Sequence, residues 1–180
     1  MVLLKLSLLT LVALQVTSAV PYDKCDKPEK DELEEYGNVF IEHEQKYNWF
    51  EAWNECAMRN MTLMAIDTTE RHGVMNSMLR KRFTKCPNLW IGGNDLGEEG
   101  KFVWSPTGRP FEFSNWQKGQ PDNYKSNENC VHYYDITDFE WNDAACSLKM
   151  GFICEENRFQ VAARRDLKMK KQFIDHLFEM

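Results

Sequence analysis

Six cysteines constrain the fold of this chain more than any other feature of its sequence. They are Cys25, Cys56, Cys86, Cys130, Cys146 and Cys154. In a secreted chain, an even number of cysteines favours disulfides over metal thiolates or a catalytic thiol. The sequence has no Cys-x-x-Cys pair, which weakens zinc-binding and thioredoxin-like interpretations. We therefore expect a disulfide-braced domain, although the number of cysteines alone does not select one pairing.

Residues 1–19 have the composition of a secretory signal peptide. Lys5 is their only charge, apolar residues dominate, and the stretch ends in small residues. The alternative is a membrane anchor, which needs about 20 apolar residues, whereas polar residues interrupt this stretch. We expect a secreted, extracellular product without a membrane span. Its length of about 160 residues suits one domain.

The net charge of the chain is acidic. It is formally −6, and removal of Lys5 with the signal peptide makes it −7. This balance argues against nonspecific binding to nucleic acid. It suits a protein that gathers a hard cation, although most acidic surfaces are merely solvated.

The remaining sequence divides into three segments. Residues 20–36 are polar and predict an extended lead-in, residues 37–156 form the compact domain, and residues 157–180 form a basic tail. Apolar residues of the tail could form a helical stripe, which would support a homo-oligomer or the docking of another partner. The alternative is a frayed, solvated terminus.

Hydrophobic periodicity predicts two helices and several short strands in the domain. Asn48 can cap the first helix, and the second is expected from about Thr69 to Phe83. Strands are expected at 39–41, 89–91, 102–104, 131–134 and 151–154. Residues 114–129 form a polar loop of a length that is usually functional or disordered.

Three short motifs occur in order along the domain, together with the late cysteines Cys130, Cys146 and Cys154. The motifs are Trp90-Ile91-Gly92-Gly93, Gln120-Pro121-Asp122 and Trp141-Asn142-Asp143. This combination resembles a C-type lectin, with a domain layout similar to secreted arthropod lectins. The resemblance implies an α+β fold with two helices, small antiparallel sheets and a long calcium-binding loop region.

The same resemblance implies the disulfide pairing. The cysteine on the first helix of the family pairs with the last one, which gives Cys56–Cys154 here, and the two between them give Cys130–Cys146. Cys25 and Cys86 are then left over. A third bridge, Cys25–Cys86, is a prediction that the family pattern does not fix.

The resemblance also implies a principal calcium site. The residues that match the family's ligands are Gln120, Asp122, Glu128, Asn142 and Asp143. Calcium takes 6–8 oxygen ligands, and these residues offer three carboxylates and two amides. The amides matter because each sugar hydroxyl must also accept a hydrogen bond, which a site made only of acids could not donate. The peptide bond before Pro121 is expected to be cis.

The order of amide and acid in the Gln120-Pro121-Asp122 motif implies the sugar. In the family, Gln-Pro-Asp is associated with galactose-type ligands, including N-acetylgalactosamine, and Glu-Pro-Asn with mannose-type ligands. Tyr124 is placed to pack on the apolar face of galactose, unless it is simply an exposed loop tyrosine. The loop from Tyr124 to Asn127 is shorter than in many galactose-specific relatives, so discrimination against mannose is expected to be incomplete.

A second, auxiliary calcium site is a weaker implication of the resemblance. Its matching residues are Asp95, Glu99, Asn123 and Asn129, and amides replace two of the family's acids there. The competing interpretation is a set of solvated loop residues.

Other features fit a glycan-binding protein that is not an enzyme. Asn60-Met61-Thr62 matches the glycosylation acceptor pattern, although Asn60 could remain unmodified. No nucleophile with an adjacent base, metalloprotease motif or phosphate loop occurs, and His132 alone is more often structural. The tryptophans are expected mainly in the core.

The rival function is a lectin-like domain that binds a protein partner without calcium.

Overall fold

The computed structural model describes residues 37–179. The predicted signal peptide, the lead-in segment and Cys25 lie outside these residues. The elements in chain order are β1 (Val39–Tyr47), α1 (Trp49–Met58), β2 (Met61–Leu63), α2 (Thr69–Arg82), β3 (Leu89–Asn94), β4 (Val103–Trp104), β5 (Arg109–Pro110), a 3-10 turn (Tyr124–Ser126), β6 (Cys130–Tyr133), β7 (Trp141–Ala144), β8 (Met150–Glu156) and α3 (Arg158–Glu179).

Helix α1 begins at the residue that the sequence indicates. The Asn48 side chain accepts a hydrogen bond from the Glu51 amide at 2.9 Å, and Glu51 accepts one from the Asn48 amide at 2.8 Å. This reciprocal capping satisfies two backbone donors that the first turn leaves free. The helix then buries Trp49, Ala52 and Cys56 against the sheet.

Helix α2 begins and ends close to its predicted bounds. The Thr68 hydroxyl accepts a hydrogen bond from the Arg71 amide, which caps the first turn. Met75, Met78 and Leu79 are buried. Phe83 has left the helical conformation, so the helix ends one residue before the predicted boundary.

Strand β8 lies at the centre of the sheet and joins both ends of the domain. It pairs antiparallel with β1, with Val39 opposite Glu155, and also pairs with β2. A side chain at Gly151 would not fit here, because a Cβ atom would lie 2.3 Å from the Glu42 carbonyl oxygen. The start of β1 and the end of β8 therefore lie side by side.

The sheet is mixed, whereas the sequence predicted antiparallel sheets. Strand β3 pairs parallel with β8, with Leu89 opposite Gly151. Parallel neighbours need a long connection, and the whole of residues 95–149 lies between these two strands. The remaining pairings, β3 with β4 and β6, and β6 with β7, are antiparallel.

The two helices predicted for the domain are α1 and α2, and the residues after the sheet form a third helix in the predicted tail. Helix α3 covers most of the basic tail. Its apolar stripe is visible in the sequence, but a stripe alone does not distinguish a helix from a frayed terminus.

Buried aromatic residues and two disulfides hold the domain together. The side chains of Trp49, Trp90, Trp104 and Trp141 are fully buried, as expected for core residues, whereas Trp53 is exposed. Disulfides join Cys56 to Cys154 and Cys130 to Cys146, the two pairs that the resemblance implies.

Candidate functional site

The long polar loop is attached to the edge of β7. The Gln117 amide donates to the Trp141 carbonyl at 2.9 Å, and the Trp141 amide donates to the Asn115 carbonyl at 2.8 Å. This attachment carries the next residues of the loop toward Asn142 and Asp143. The Gln120–Pro121 peptide bond within the loop is cis.

Three carboxylates meet where the loop crosses β7. Oxygen atoms of Asp122, Glu128 and Asp143 all lie within 4.8 Å of one another. Asp122 is exposed, Glu128 is half-buried and Asp143 is buried. Residues far apart in the sequence thus form one acidic cluster that opens to solvent on its Asp122 side.

Burial and mutual repulsion disfavour the ionised forms of two of these acids. Burial raises the pKa of Glu128, and the nearby Asp143 and Asp122 raise it further. Burial also raises the pKa of Asp143, with a smaller contribution from Asp122. A bound cation would oppose these effects, because it favours the ionised carboxylates.

Backbone amides of the loop hold two of the carboxylates in place. The Asp122 and Asn123 amides donate to the two oxygens of Asp143 at 3.2 and 2.9 Å. The Tyr124 amide donates to Glu128 Oε2 at 3.0 Å. A carboxylate oxygen can accept more than one interaction, so these hydrogen bonds orient the acids and leave lone pairs for a cation.

Two amide oxygens of the predicted ligand set lack a hydrogen-bond donor. Gln120 Oε1 and Asn142 Oδ1 are buried, and neither has a partner within the described part of the chain. A buried acceptor without a partner costs free energy. Gln120 and Asn142 belong to the same motifs as the cluster residues Asp122 and Asp143. Unpartnered amide oxygens beside three carboxylates fit calcium, which prefers oxygen ligands.

His132 orients the side-chain amide of Asn142, a role that no motif of the sequence indicates. Burial lowers the pKa of His132 to about 4, so the ring is neutral. Its Nδ1 lies 2.7 Å from the Tyr133 carbonyl oxygen, an acceptor only, and therefore carries the hydrogen. Nε2 is then the acceptor for Asn142 Nδ2 at 3.3 Å. The contact arises because the pairing of β6 with β7 places His132 opposite Asn142.

The Asn142 amide also donates to the Asp143 carbonyl oxygen. A carbonyl oxygen has two lone pairs, so this hydrogen bond leaves one of them available to an ion.

Tyr124 lies beside the acidic cluster with its ring open to solvent. The side chain is 60% exposed. Lys125 places its ammonium 5.0 Å from the centre of the ring. The flexible Lys125 side chain therefore covers one face of the ring. A sugar would pack on the other face or displace Lys125.

The residues predicted for an auxiliary site are only partly assembled. Asp95 is buried, and its carboxylate accepts hydrogen bonds from Asn129 at 3.0 Å and from the Gly100 amide at 2.8 Å. Asn123 Oδ1 accepts from the Glu128 amide, and Glu99 is exposed. Within residues 37–179, the acidic cluster contains neither Asp95 nor Glu99. A second calcium ion stays a prediction.

Two further predicted residues lie away from the cluster. Asn60 is exposed after α1, and its glycosylation stays a prediction. Cys86 is buried and forms no disulfide with a described cysteine. Burial raises the pKa of its thiol to about 12, and Asp135 contributes in the same direction. Its predicted partner, Cys25, lies outside the described residues.

The mixed sheet, the two disulfides and the loop cluster define the C-type lectin fold. The chain belongs to the C-type lectin domain family, because the model of the Lectin C-type domain matches residues 45–156. The homologous domains are non-enzymatic carbohydrate-binding proteins, which agrees with the prediction that this chain is not an enzyme.

Individual relatives support the same assignment. Lectin subunit alpha of Sarcophaga peregrina is 41% identical over 74% of this chain, but the match spans only 50% of that protein. The galactose-specific lectin nattectin of Thalassophryne nattereri is 31% identical over 66% of this chain and 73% of its own length. The carbohydrate-recognition domain of the mouse scavenger receptor C-type lectin superposes with a TM-score of 0.58. It is 27% identical and covers 67% of this chain and 89% of its own.

Within residues 37–179, no helix is long and apolar enough to cross a membrane.

Proposed function

We propose that this protein is a secreted, calcium-dependent lectin that recognises galactose- or N-acetylgalactosamine-type glycans and glycoproteins. One observation carries the proposal: oxygens of Asp122, Glu128 and Asp143 lie within 4.8 Å of one another, and Gln120 and Asn142, their neighbours in the two motifs, have buried amide oxygens without a partner in the described residues. This set supplies hard oxygen ligands for calcium. The same residues would offer acids and amides as hydrogen-bond partners to two neighbouring sugar hydroxyls that bind the ion.

The chemistry of the cluster explains why a sugar would need the ion. A hydroxyl that contacts calcium can still donate its hydrogen to a carboxylate and accept one from an amide. Asp122 is the exposed acid of the cluster, and Gln120 is the amide two residues before it. Both ends of the Gln-Pro-Asp motif are therefore available to define the donor and acceptor pattern around the two hydroxyls.

Two further observations support the galactose type. The order of amide and acid in the motif is the one associated with galactose in this family, and one relative is named as galactose-specific. The exposed Tyr124 ring offers an apolar surface for the face of the sugar. A single shallow site binds a monosaccharide weakly, on the order of millimolar, so useful avidity requires several sites.

Calorimetry on the oxidised protein tests ion binding. We expect calcium uptake by the wild type and a large loss in Glu128→Gln, which removes one charge from the cluster with little change in shape. Glu112→Gln is the matched control, because Glu112 is exposed and does not belong to the cluster. An unaltered calcium affinity in Glu128→Gln would place the ion elsewhere.

Retention on immobilised galactose tests recognition. We expect the protein to bind in calcium and to elute with a chelator or with galactose at lower concentration than mannose. Exchanging Gln120→Glu together with Asp122→Asn should favour mannose while the net charge is unchanged. Retention that ignores the chelator would support the calcium-independent protein-binding alternative instead.

Two simple mass measurements test processing. Secretion predicts that the mature protein from the culture medium begins after residue 19. Modification of Asn60 predicts a loss of mass on enzymatic deglycosylation, and Asn60→Gln should remove that difference.

A further inference from the structure

Helix α3 is attached to the domain through its first two turns. Arg158 donates to both oxygens of Asp67, at 2.5 and 3.1 Å, and to the Ala65 carbonyl at 2.8 Å. The Phe159 amide donates to the Asn157 side chain at 3.0 Å, and Arg164 pairs with Glu156 at 2.5 Å. The helix therefore leaves the domain in a defined direction.

The rest of α3 extends away from the domain. Every residue from 162 to 178 is exposed, and a helix of 22 residues is about 33 Å long. The exposed side chains include large apolar ones, such as Phe173 at 65% and Phe178 at 88% exposure. A helix with so much uncovered apolar surface is typical of an interaction element.

One face of α3 carries most of these apolar residues. At 100° per residue, the residues that share this face are Phe159, Ala162, Ala163, Asp166, Lys170, Phe173, Ile174 and Leu177. Basic residues such as Arg164 and Lys168 lie on the opposite side. The face contains one charged pair, in which Lys170 contacts Asp166 at 2.6 Å.

We propose that this face binds the same face of a second copy of the chain, with the two α3 helices antiparallel and the two-fold axis level with Lys168. In that arrangement the residue n positions before Lys168 in one copy lies level with the residue n positions after Lys168 in the second copy. A two-fold interface must be self-complementary in this way.

The sizes of the side chains match this arrangement. Ala162 and Ala163 lie level with Ile174 and Phe173 of the second copy, so small residues meet large ones at both ends. Phe159 lies level with Leu177, which adds an apolar pair beyond each of these contacts. A parallel pair of helices would instead place alanines against alanines and Phe173 against Phe173, which leaves gaps at one level and crowding at the other.

The charges match it as well. Asp166 lies level with Lys170 of the second copy, and Lys170 with Asp166, so four charges alternate in sign at the centre of the interface. A parallel pair would bring Asp166 level with Asp166 and Lys170 level with Lys170, which is repulsive. Size and charge are independent observations, and both favour the antiparallel dimer.

The same charged pair argues against a membrane surface as the occupant. A basic amphipathic helix can lie on an anionic bilayer, and α3 has six Lys or Arg residues against three Asp or Glu. Asp166, however, lies in the middle of the apolar face, where insertion would bury a carboxylate in the lipid. In the dimer, Lys170 residues of both copies surround it.

Sedimentation of the full oxidised protein tests the dimer. We expect a reversible dimer for the wild type and a monomer for Ile174→Asp, which introduces a charge at the centre of one apolar layer. Gln172→Asp is the matched control, because it adds the same charge on the opposite side of the helix, and it should remain dimeric. Helix content is measured for both, since a loss of helix in Ile174→Asp alone would explain dissociation without an interface.

A charge exchange tests the register. Asp166→Lys and Lys170→Asp should each weaken the dimer at least several-fold, because each brings like charges together across the interface. The double exchange should restore much of the affinity. Single and double variants with equal dimer affinity would contradict the proposed register.

Cysteine pairing tests the orientation. An antiparallel dimer predicts that an oxidised mixture of Phe159→Cys and Leu177→Cys forms cross-links between the two variants, whereas neither variant cross-links with itself. Cross-links within one variant would show a parallel dimer and overturn the proposal.

Two other outcomes would also overturn it. The first is a wild-type protein that stays monomeric at every concentration, including after residues 20–36 are deleted to expose any face they cover. The second is a monomeric protein that binds vesicles containing phosphatidylserine through α3. These experiments use no sugar or calcium, so their failure is distinct from a failure of the proposed lectin function. That function is needed only for the consequence that the dimer presents two glycan sites together.

Discussion

The side-chain amide of Asn142 lies 3.3 Å from Nε2 of His132, so a buried neutral histidine in β6 sets the orientation of an amide in the candidate calcium site. With its nitrogen directed at His132, Asn142 keeps its unpartnered oxygen available to an ion. Residues that orient metal ligands commonly matter almost as much as the ligands themselves.

Replacing His132 by leucine should weaken calcium binding about 10- to 100-fold, because the Asn142 amide loses its acceptor. Calorimetric titration measures the change. Tyr133→Phe is the control on the same strand, since it removes a hydrogen bond to Asn76 without a contact to Asn142. An equal loss of calcium affinity in both variants would indicate a general disturbance of β6 rather than an effect on the amide.

Glu128 should make stability depend on pH in the absence of calcium. Its raised pKa means that its contribution to stability is present below the unfolded value of about 4.3 and is lost as pH rises through the folded value. In a chelator at neutral pH, Glu128→Gln should therefore unfold at a higher temperature than the wild type. The gain is limited to a few degrees because solvent screens this half-buried group.

Two conditions check the origin of that difference. The gain should vanish in acid, where Glu128 is protonated in the wild type, and the order of the two proteins should reverse when calcium is added at neutral pH. Thermal unfolding across a pH series measures both. A wild type that is more stable than Glu128→Gln in chelator at neutral pH would contradict the assigned repulsion.

The two disulfides should differ in what they contribute. Cys56 and Cys154 are 98 residues apart, and Cys130 and Cys146 are 16 apart. In the chain-entropy model, the disulfides that close these loops stabilise the folded state by about 4.7 and about 3 kcal/mol. Replacing the first pair by alanines should lower the free energy of unfolding more. Replacing the second pair should weaken calcium binding more, because this bridge joins the segments that carry Glu128 and Asp143.

Urea unfolding and calcium titration of the two double-alanine variants separate these effects. A larger loss of calcium affinity on removal of Cys56 and Cys154 would contradict the division of roles.

Arg71 should be essential because it neutralises a buried carboxylate. Glu155 is fully buried and contacts Arg71, and burial raises the pKa of Glu155. Arg71→Met should cost at most about 3–5 kcal/mol at neutral pH, since it removes one of the two guanidinium groups, those of Arg71 and Arg158, that contact Glu155. The loss should shrink in acid, because a raised pKa means that protonation of Glu155 relieves the cost as pH falls.

Urea unfolding at neutral and acidic pH measures this change. Adding Glu155→Leu to Arg71→Met should recover part of the stability at neutral pH. No recovery would show that Arg71 acts mainly through its other contacts, including the Ala65 carbonyl.

Local side-chain chemistry explains which elements the sequence could predict. Asn48 and Thr68 satisfy backbone donors within three residues of their own positions, so the starts of α1 and α2 could be predicted without knowledge of the rest of the fold. The apolar stripe of the C-terminal tail was also visible, because helical periodicity is likewise a local pattern of the sequence. Its stability as a helix also depends on the attachment of Arg158 to Asp67, which the stripe does not reveal.

Pairing across long distances explains what the sequence could not predict. The parallel contact of Leu89 with Gly151 depends on the path of the chain between them. The short strands Arg109–Pro110 and Met61–Leu63 have too few residues for a periodic pattern. Within the site, motifs indicated Asp122 and Asp143, but the contact of His132 with Asn142 depends on the register of two strands.

The salt bridges between Arg158 and Asp67 have a mechanical consequence for any dimer formed by α3. They fix the orientation of the helix on the domain, so the two lectin domains of a dimer would stay at one distance from each other instead of moving on flexible linkers. Such a dimer would select glycans by spacing. It would bind with higher avidity to glycans whose terminal sugars are separated by the distance between its two sites, and without added avidity to other glycans.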